Sequence, residues 1–166
     1  VKFVGEHVGF IAGASGPIET SNAVVLKTAD GGRTWRRVYQ SARPWETTWK
    51  MAWPTALVGY VTVQNYDRDP ANTRRVVACT TDGGETWEER TVIEDHAFRE
   101  FGVGFVDAQR GWIGGSTTGV QTEDGGRTWT PVAMGQAVNK IRVLRDAGGV
   151  SVFAIGVEMH KLELSA

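Results

Sequence analysis

Cysteine is almost absent from this chain: Cys79 stands alone in 166 residues. No intrachain disulfide can form, and one cysteine says little about redox compartment. Any excess of basic charge is also missing. The formal net charge is -1 and no basic run stands out, which argues against a general nucleic-acid binder. No stretch approaches the run of about 18 apolar residues that marks a membrane span. No leader is visible, since Val1 already lies in strand-like sequence. Leaders are cleaved from mature chains, so this absence carries little weight. Several catalytic signatures are lacking too. There is no Gly-x-Ser-x-Gly elbow, no phosphate-binding Gly-Lys-Ser/Thr loop and no His-Glu-x-x-His. His7, His96 and His160 are far apart and have no metal-ligand spacing.

What the chain does have is repetition. Hydrophobic content of 41% and charged content of 22% fit one globular domain rather than a disordered chain. Its 21 glycines and seven tryptophans concentrate in or near one phrase written three times. Thr28-Ala-Asp30-Gly-Gly32-Arg-Thr34-Trp35 returns as Thr80-Thr-Asp82-Gly-Gly84-Glu-Thr86-Trp87. It returns again as Thr122-Glu-Asp124-Gly-Gly126-Arg-Thr128-Trp129. A period of roughly 40 to 50 residues points to a radial or stacked repeat architecture.

The unit extends beyond that phrase. Upstream, Phe3 precedes Gly9-Phe10, Trp53 precedes Gly59-Tyr60, and Phe105 precedes Gly111-Trp112, at the same spacing each time. Aromatic and β-branched runs punctuated by glycine read as strands. A third strand leads into each phrase, and Asp-Gly between strands is a hairpin signal. A fourth follows each tryptophan. Because strand side chains alternate faces, Leu26, Ala78 and Val120 share one face and Lys27, Cys79 and Gln121 the other. The mixed set is expected to point outward, which suggests a partly accessible thiol at Cys79. An inert buried cysteine is the other reading.

Four antiparallel strands per unit, repeated in series, describe a β-propeller blade. The pattern Thr-x-Asp-x-Gly-x-Thr-Trp resembles the Asp-box of BNR repeats, found in sialidases, sortilin-type propellers and some glucan-cleaving hydrolases. With its upstream aromatics, the unit is most similar to the photosystem II stability/assembly-factor group. The likeness runs from residue 1 to about 132. It implies an all-β propeller with the boxes at the blade periphery, away from the central ligand face. It also implies a scaffold or adaptor role, and leans toward a periplasmic or secreted setting.

The expected organisation is a single propeller domain, or part of one, over 1–166. Blade 1 covers about 1–50, blade 2 about 51–101, blade 3 about 102–138, and an incomplete blade 4 about 139–166. In the last segment, Phe153-Ala-Ile-Gly156 echoes Phe10-Ile-Ala-Gly13. Aligning Leu164 with Leu26 would instead place a fourth box aspartate just beyond Ala166. About three and a half blades are thus expected, either as a piece of a longer propeller or as an arc completed by self-association through open sheet edges.

The repeated Asp30, Asp82 and Asp124 look functional but are expected to be structural. A short carboxylate at a turn accepts nearby backbone N–H groups. Gly32, Gly84 and Gly126 permit the turn, Thr34, Thr86 and Thr128 add a local hydrogen bond, and Trp35, Trp87 and Trp129 pack beneath. Glycoside cleavage needs two carboxylates across a cleft, yet nothing pairs any two of Glu6, Glu19, Glu46, Asp67, Asp69, Glu100 and Asp107. The arginine motif of sialidases is absent. Asp67-Arg-Asp69-Pro-Ala-Asn72 loosely resembles a calcium loop but lacks its glycine and distal glutamate. No metal, cofactor or catalytic residue is assigned. Binding is expected on loops inserted in the unit, Ser15–Asn22 and Gln64–Arg74. Tyr66, Arg68 and Arg74 are contact candidates. Trp45 and Trp49, outside the repeat, either pack between blades 1 and 2 or form a surface platform. The expected function is a non-enzymatic scaffold binding a protein or peptide. The alternative is a carbohydrate-active propeller, a glycan-binding module or a fragment of a sialidase-like hydrolase.

Overall fold

The computed structural model describes residues 1–164; Ser165 and Ala166, the end of the expected fourth blade, lie outside the described residues. The chain is all-β. The first sheet holds β1 (Lys2–Phe3), β2 (Gly9–Ala14), β3 (Ala23–Thr28) and β4 (Arg36–Gln40). The second holds β5 (Glu46–Ala52), β6 (Gly59–Asn65), β7 (Arg74–Thr80) and β8 (Glu88–Glu94), and the third β9 (Val103–Phe105), β10 (Gly111–Gly114), β11 (Gly119–Thr122) and β12 (Thr130–Val132). The fourth is β13 (Lys140–Asp146), β14 (Gly149–Ile155) and β15 (Met159–Leu164). Every sheet is antiparallel, with strands in chain order. Among the described residues no helix is long and apolar enough to cross a membrane.

The sheets follow one another as consecutive propeller blades, giving a partial propeller. First strands meet across sheets, β5 with β9 and β9 with β13, so they form the inner side. Aromatic stacking fastens successive sheets. Phe10 stacks on Trp53 at 3.9 Å between centroids, and Trp87 meets Trp53 edge-on at 6.1 Å. The next interface repeats the figure, with Tyr60 on Phe105 at 3.6 Å and Trp129 edge-on at 6.2 Å. The glycine beneath each aromatic is a matter of space. A Cβ on Gly59 would lie 2.7 Å from the Trp53 ring, and one on Gly111 2.4 Å from Phe105.

Cys79 is 1% exposed, in the core between the second and third sheets with Tyr60, Phe105 and Ile113. The outward-facing expectation fails because a middle blade is covered on both faces, so strand alternation sorts residues between two neighbours rather than between core and water. The fourth sheet also corrects an expectation. Phe10 pairs with Lys27 and Trp112 with Gln121, and the corresponding pair is Phe153 with Lys161. Lys161 Nζ lies 5.7 Å over the Phe153 ring, as Lys27 Nζ lies 5.8 Å over Phe10. Leu164 therefore takes the place of Asp30, not of Leu26. Strand β15 runs straight through the position where the other sheets turn into a box.

Candidate functional site

Each box is a closed hydrogen-bonded turn. Asp30 Oδ1 accepts the Thr34 N–H at 2.9 Å and the Thr28 hydroxyl at 2.7 Å, while Oδ2 accepts the Thr34 hydroxyl at 2.6 Å. Thr28 Oγ1 accepts the Gly32 N–H at 2.9 Å, and the Trp35 indole N–H donates to the Gly32 carbonyl at 3.0 Å. The Asp82 and Asp124 turns repeat these bonds. Paired glycines at positive φ, 74° and 80° at Gly83 and Gly84, make the turn possible. The hydrogen bonds, led by those from Thr34, Thr86 and Thr128, hold the three carboxyls well below the usual carboxylate range.

The boxes lie on the side of the sheets that carries the turns between first and second strands. Gly31, Gly83 and Gly125 donate their N–H groups to the main-chain carbonyls of His7, Leu57 and Gln109. Cations of one sheet also clamp the box of the next: Lys27 Nζ donates to Gly83 O at 2.7 Å, and Arg90 to Gly125 O.

The opposite side carries the loops between second and third strands and the connections between sheets. There a groove of about 460 Å³ opens between the two insertion loops, lined by Trp45, Tyr66 and Arg68 with Ile18, Glu19, Asp67, His96 and Arg99. Trp45 sits at φ 65°, a left-handed conformation costly for a bulky residue. Two main-chain bonds hold it there: its carbonyl accepts the Tyr66 N–H at 2.8 Å, and the Glu46 N–H donates to Ser21 O at 3.1 Å. The Arg99 guanidinium lies 5.3 Å over the Tyr66 ring, a cation–π contact.

Three of the five binding candidates thus meet, and two do not. Trp49 stands on inner strand β5, 43% exposed, with Lys50 Nζ 5.4 Å over its ring. It does not pack between the first two sheets, because the register shift between Thr48 and Met51 lets it leave the strand pairing. Arg74 is exposed and donates to Thr91 Oγ1 at 3.0 Å on the outer strand β8. The segment Asp67–Asn72 forms successive Asx turns, with Asp67 Oδ1 and Asp69 Oδ1 accepting the N–H groups of Asp69 and Ala71 at 2.9 Å. Among the described residues, no group of three or more His, Cys, Asp or Glu gathers at a metal distance.

Below the groove lies a buried polar layer that the sequence did not reveal. Glu46, Gln64, Arg75 and Glu100 are all 2% exposed or less. The Tyr66 hydroxyl donates to Gln64 Oε1 at 2.5 Å, Gln64 Nε2 to Glu100 O at 2.9 Å, and Arg75 Nε to Phe98 O at 2.8 Å. Arg43 donates to Glu46 Oε1 at 2.6 Å, and Asn65 to the same oxygen at 3.1 Å. Among the described residues neither carboxylate oxygen of Glu100 has a hydrogen-bond partner. Burial pushes the Glu100 acid up to about 8, although the Arg75 cation pulls it the other way. No local motif marks these residues. Charged side chains at strand ends were the available signal, and they read equally well as solvated loop charges.

Sheets of this connectivity, three of them closed by the same turn, define an Asp-box β-propeller. A family model described as Photosynthesis system II assembly factor YCF48 matches residues 71–142. Over that stretch the chain is similar to that family, and its fold as a whole is a propeller. Two solved structures agree in fold. "YCF48 bound to D1 peptide" superposes with a TM-score of 0.62 at 18% identity, covering 97% of this chain and 49% of the other. YCF48 from Cyanidioschyzon merolae gives 0.51 at 18% identity, covering 87% and 49%. The chain thus spans about half the length of the solved structures it matches. A GH74 enzyme from Niastella koreensis gives 0.48 at 12% identity, covering 86% of this chain and 26% of that one, too low for argument. No curated protein matches significantly.

Proposed function

We propose that this chain is part of a non-enzymatic propeller scaffold, assembly-factor-like, that holds a protein or peptide segment in the groove beside Trp45. One observation carries the reading. Trp45, Tyr66 and Arg68 come from an inter-sheet connection and an insertion loop, and they converge on one concave surface opposite the boxes. Aromatic rings beside an arginine are the composition of interface anchors. Backbone held under strain at Trp45 is typical of positions kept for function. A structure of similar fold is described as YCF48 bound to D1 peptide, which supports a peptide as the class of partner.

The test is selection from a peptide display library, followed by titration of the winning peptide with tryptophan fluorescence. Trp45→Ala and Arg68→Ala are each expected to weaken binding by about tenfold or more, and Trp49→Ala to leave it unchanged. A glycan array run in parallel decides the alternative. Saturable quenching by an oligosaccharide, with no peptide selected, overturns the peptide reading in favour of a glycan-binding module.

A further inference from the structure

We propose that Glu100 is a positioning residue for the Trp45 groove and sets its shape through its own protonation state. While the acid is neutral, Arg75 pins the connection that walls the groove. Once the acid ionises, Arg75 turns to the carboxylate, the connection is released, and the groove weakens its hold on a partner. This inference rests on the peptide-holding reading above, and its test separates the two.

The buried layer contains two complementary groups that are not joined. Both carboxylate oxygens of Glu100 and the Arg75 Nη1 group are enclosed and, among the described residues, have no hydrogen-bond partner. The main-chain amides of Glu100 and Val76 lie near enough to favour negative charge there, yet neither donates to it. Of the charged side chains, Arg75 on β7 acts on Glu100 most strongly, and Glu46 on β5, itself bonded to Arg43, acts the opposite way. On the other side of Arg75 stand groups of the connection itself, with Asp95 and Arg99 within electrostatic range and His96 Nδ1 3.5 Å from Nη2.

Arg75 directs its remaining nitrogens to the connection between the second and third sheets. Nε donates to Phe98 O at 2.8 Å, and Nη2 donates to His96 O. That connection supplies His96 and Arg99 to the groove wall. Arg99 lies 5.3 Å over the Tyr66 ring, and His96 Nδ1 meets Asn72 O of the insertion loop at 3.1 Å. Glu100 is tied to the groove as well, because its carbonyl accepts the amide of Gln64, whose Oε1 accepts the Tyr66 hydroxyl. A guanidinium is a rigid planar fork, so turning Nη1 toward Glu100 takes Nε and Nη2 off their carbonyls together. The driving force for that turn is the cost of a buried carboxylate without donors. Burial holds the Glu100 acid neutral up to about 8, so the turn follows as pH rises through that value.

The test uses the full chain and begins without a ligand. Carbon-13 NMR of glutamate-labelled protein, with Glu100 assigned by its loss in Glu100→Gln, is expected to show this carboxyl titrating at about 8. Hydrogen exchange of amides 96–102, corrected for the intrinsic rise with pH, is expected to quicken roughly tenfold or more between about pH 6 and about pH 9.5. Glu100→Gln stays neutral and should show no such change. A peptide selected by display at about pH 6 then serves as the probe. Its Kd is expected to rise about tenfold over the same range in the parent protein and by less than about twofold in Glu100→Gln. By linkage the complex then holds the Glu100 proton about tenfold more tightly than the unliganded protein. Glu100 ionised throughout overturns the proposal. So does exchange that stays constant in the parent or quickens equally in the variant, and so does peptide affinity with the same pH dependence in both. If no peptide is selected, the peptide reading fails alone, because titration and exchange still decide whether Glu100 releases the wall.

Discussion

Tyr60 lies flat on Phe105, with ring centroids 3.6 Å apart and planes within 2° of parallel, and its hydroxyl donates to Ala108 O at 2.8 Å. The two residues belong to successive sheets, so one side chain joins blades through both stacking and a hydrogen bond. Tyr60→Ala is expected to cost about 3–5 kcal/mol, the range for deleting a buried aromatic. Tyr60→Phe keeps the ring and should cost only about 1 kcal/mol for the bond. Urea denaturation of the three proteins measures both. Equal losses for the two variants would mean that the hydroxyl, not the stack, fastens the sheets.

The box glycines differ in what surrounds them, and this predicts unequal tolerance. A Cβ on Gly84 would lie 2.5 Å from Cε1 of fully buried Phe10, whereas one on Gly31 would meet nothing closer than 3.7 Å. Both have positive φ, so each alanine bears backbone strain of about 1–3 kcal/mol. Gly84→Ala adds an overpacking cost of about 1–3 kcal/mol. Thermal melts should rank Gly31→Ala well above Gly84→Ala.

Thr80 is 2% exposed, and its hydroxyl accepts the Gly84 N–H at 2.9 Å while donating to Asp82 Oδ1 at 2.8 Å. Thr80→Ala leaves the Gly84 amide without a partner, which costs about 1–3 kcal/mol. Thr80→Ser restores the hydroxyl and should recover most of that loss. If serine and alanine were equally destabilising in chemical denaturation, the methyl packing rather than the hydrogen bond would be the source.

Stability should depend on pH through groups with opposite signs. The box carboxyls are lowered in the fold, so their contribution is complete above the unfolded value of about 3.9 and is lost as pH falls below it. Glu100 is raised to about 8. Between about 4.3, its value in the unfolded chain, and 8, the folded state holds a proton that the unfolded state has released, so stability falls as pH rises. Glu100→Gln removes that penalty. The variant is expected to gain on the parent protein between pH 5 and pH 8 in urea titrations. A gap between them that stays constant over this range would show that Glu100 is ionised in the fold.

Some of this was legible in residue order because the physics is local. A box is eight residues whose carboxylate, hydroxyls and glycines satisfy one another, so Asp30, Gly32, Thr34 and Trp35 announce a hairpin wherever they occur. Three boxes at regular intervals announce the repeating sheets. The fourth sheet was legible only as a set of strands. Its register follows the Phe153–Lys161 pair, and the choice between that alignment and Leu164 on Leu26 depends on which face meets the third sheet. The groove was half legible. Tyr66 and Arg68 share a loop, but Arg74, a few residues on, faces the outer strand.

The chain by itself determined the turns, the strand order and the repeat, because each rests on contacts within a few residues. Only the tertiary structure decided that Cys79 is buried, that Glu46 and Glu100 are enclosed under the groove, and that Trp45 meets Tyr66. Those outcomes depend on which sheet covers which face, and in a repeat fold the covering surface comes from the neighbouring unit, so no single segment encodes it.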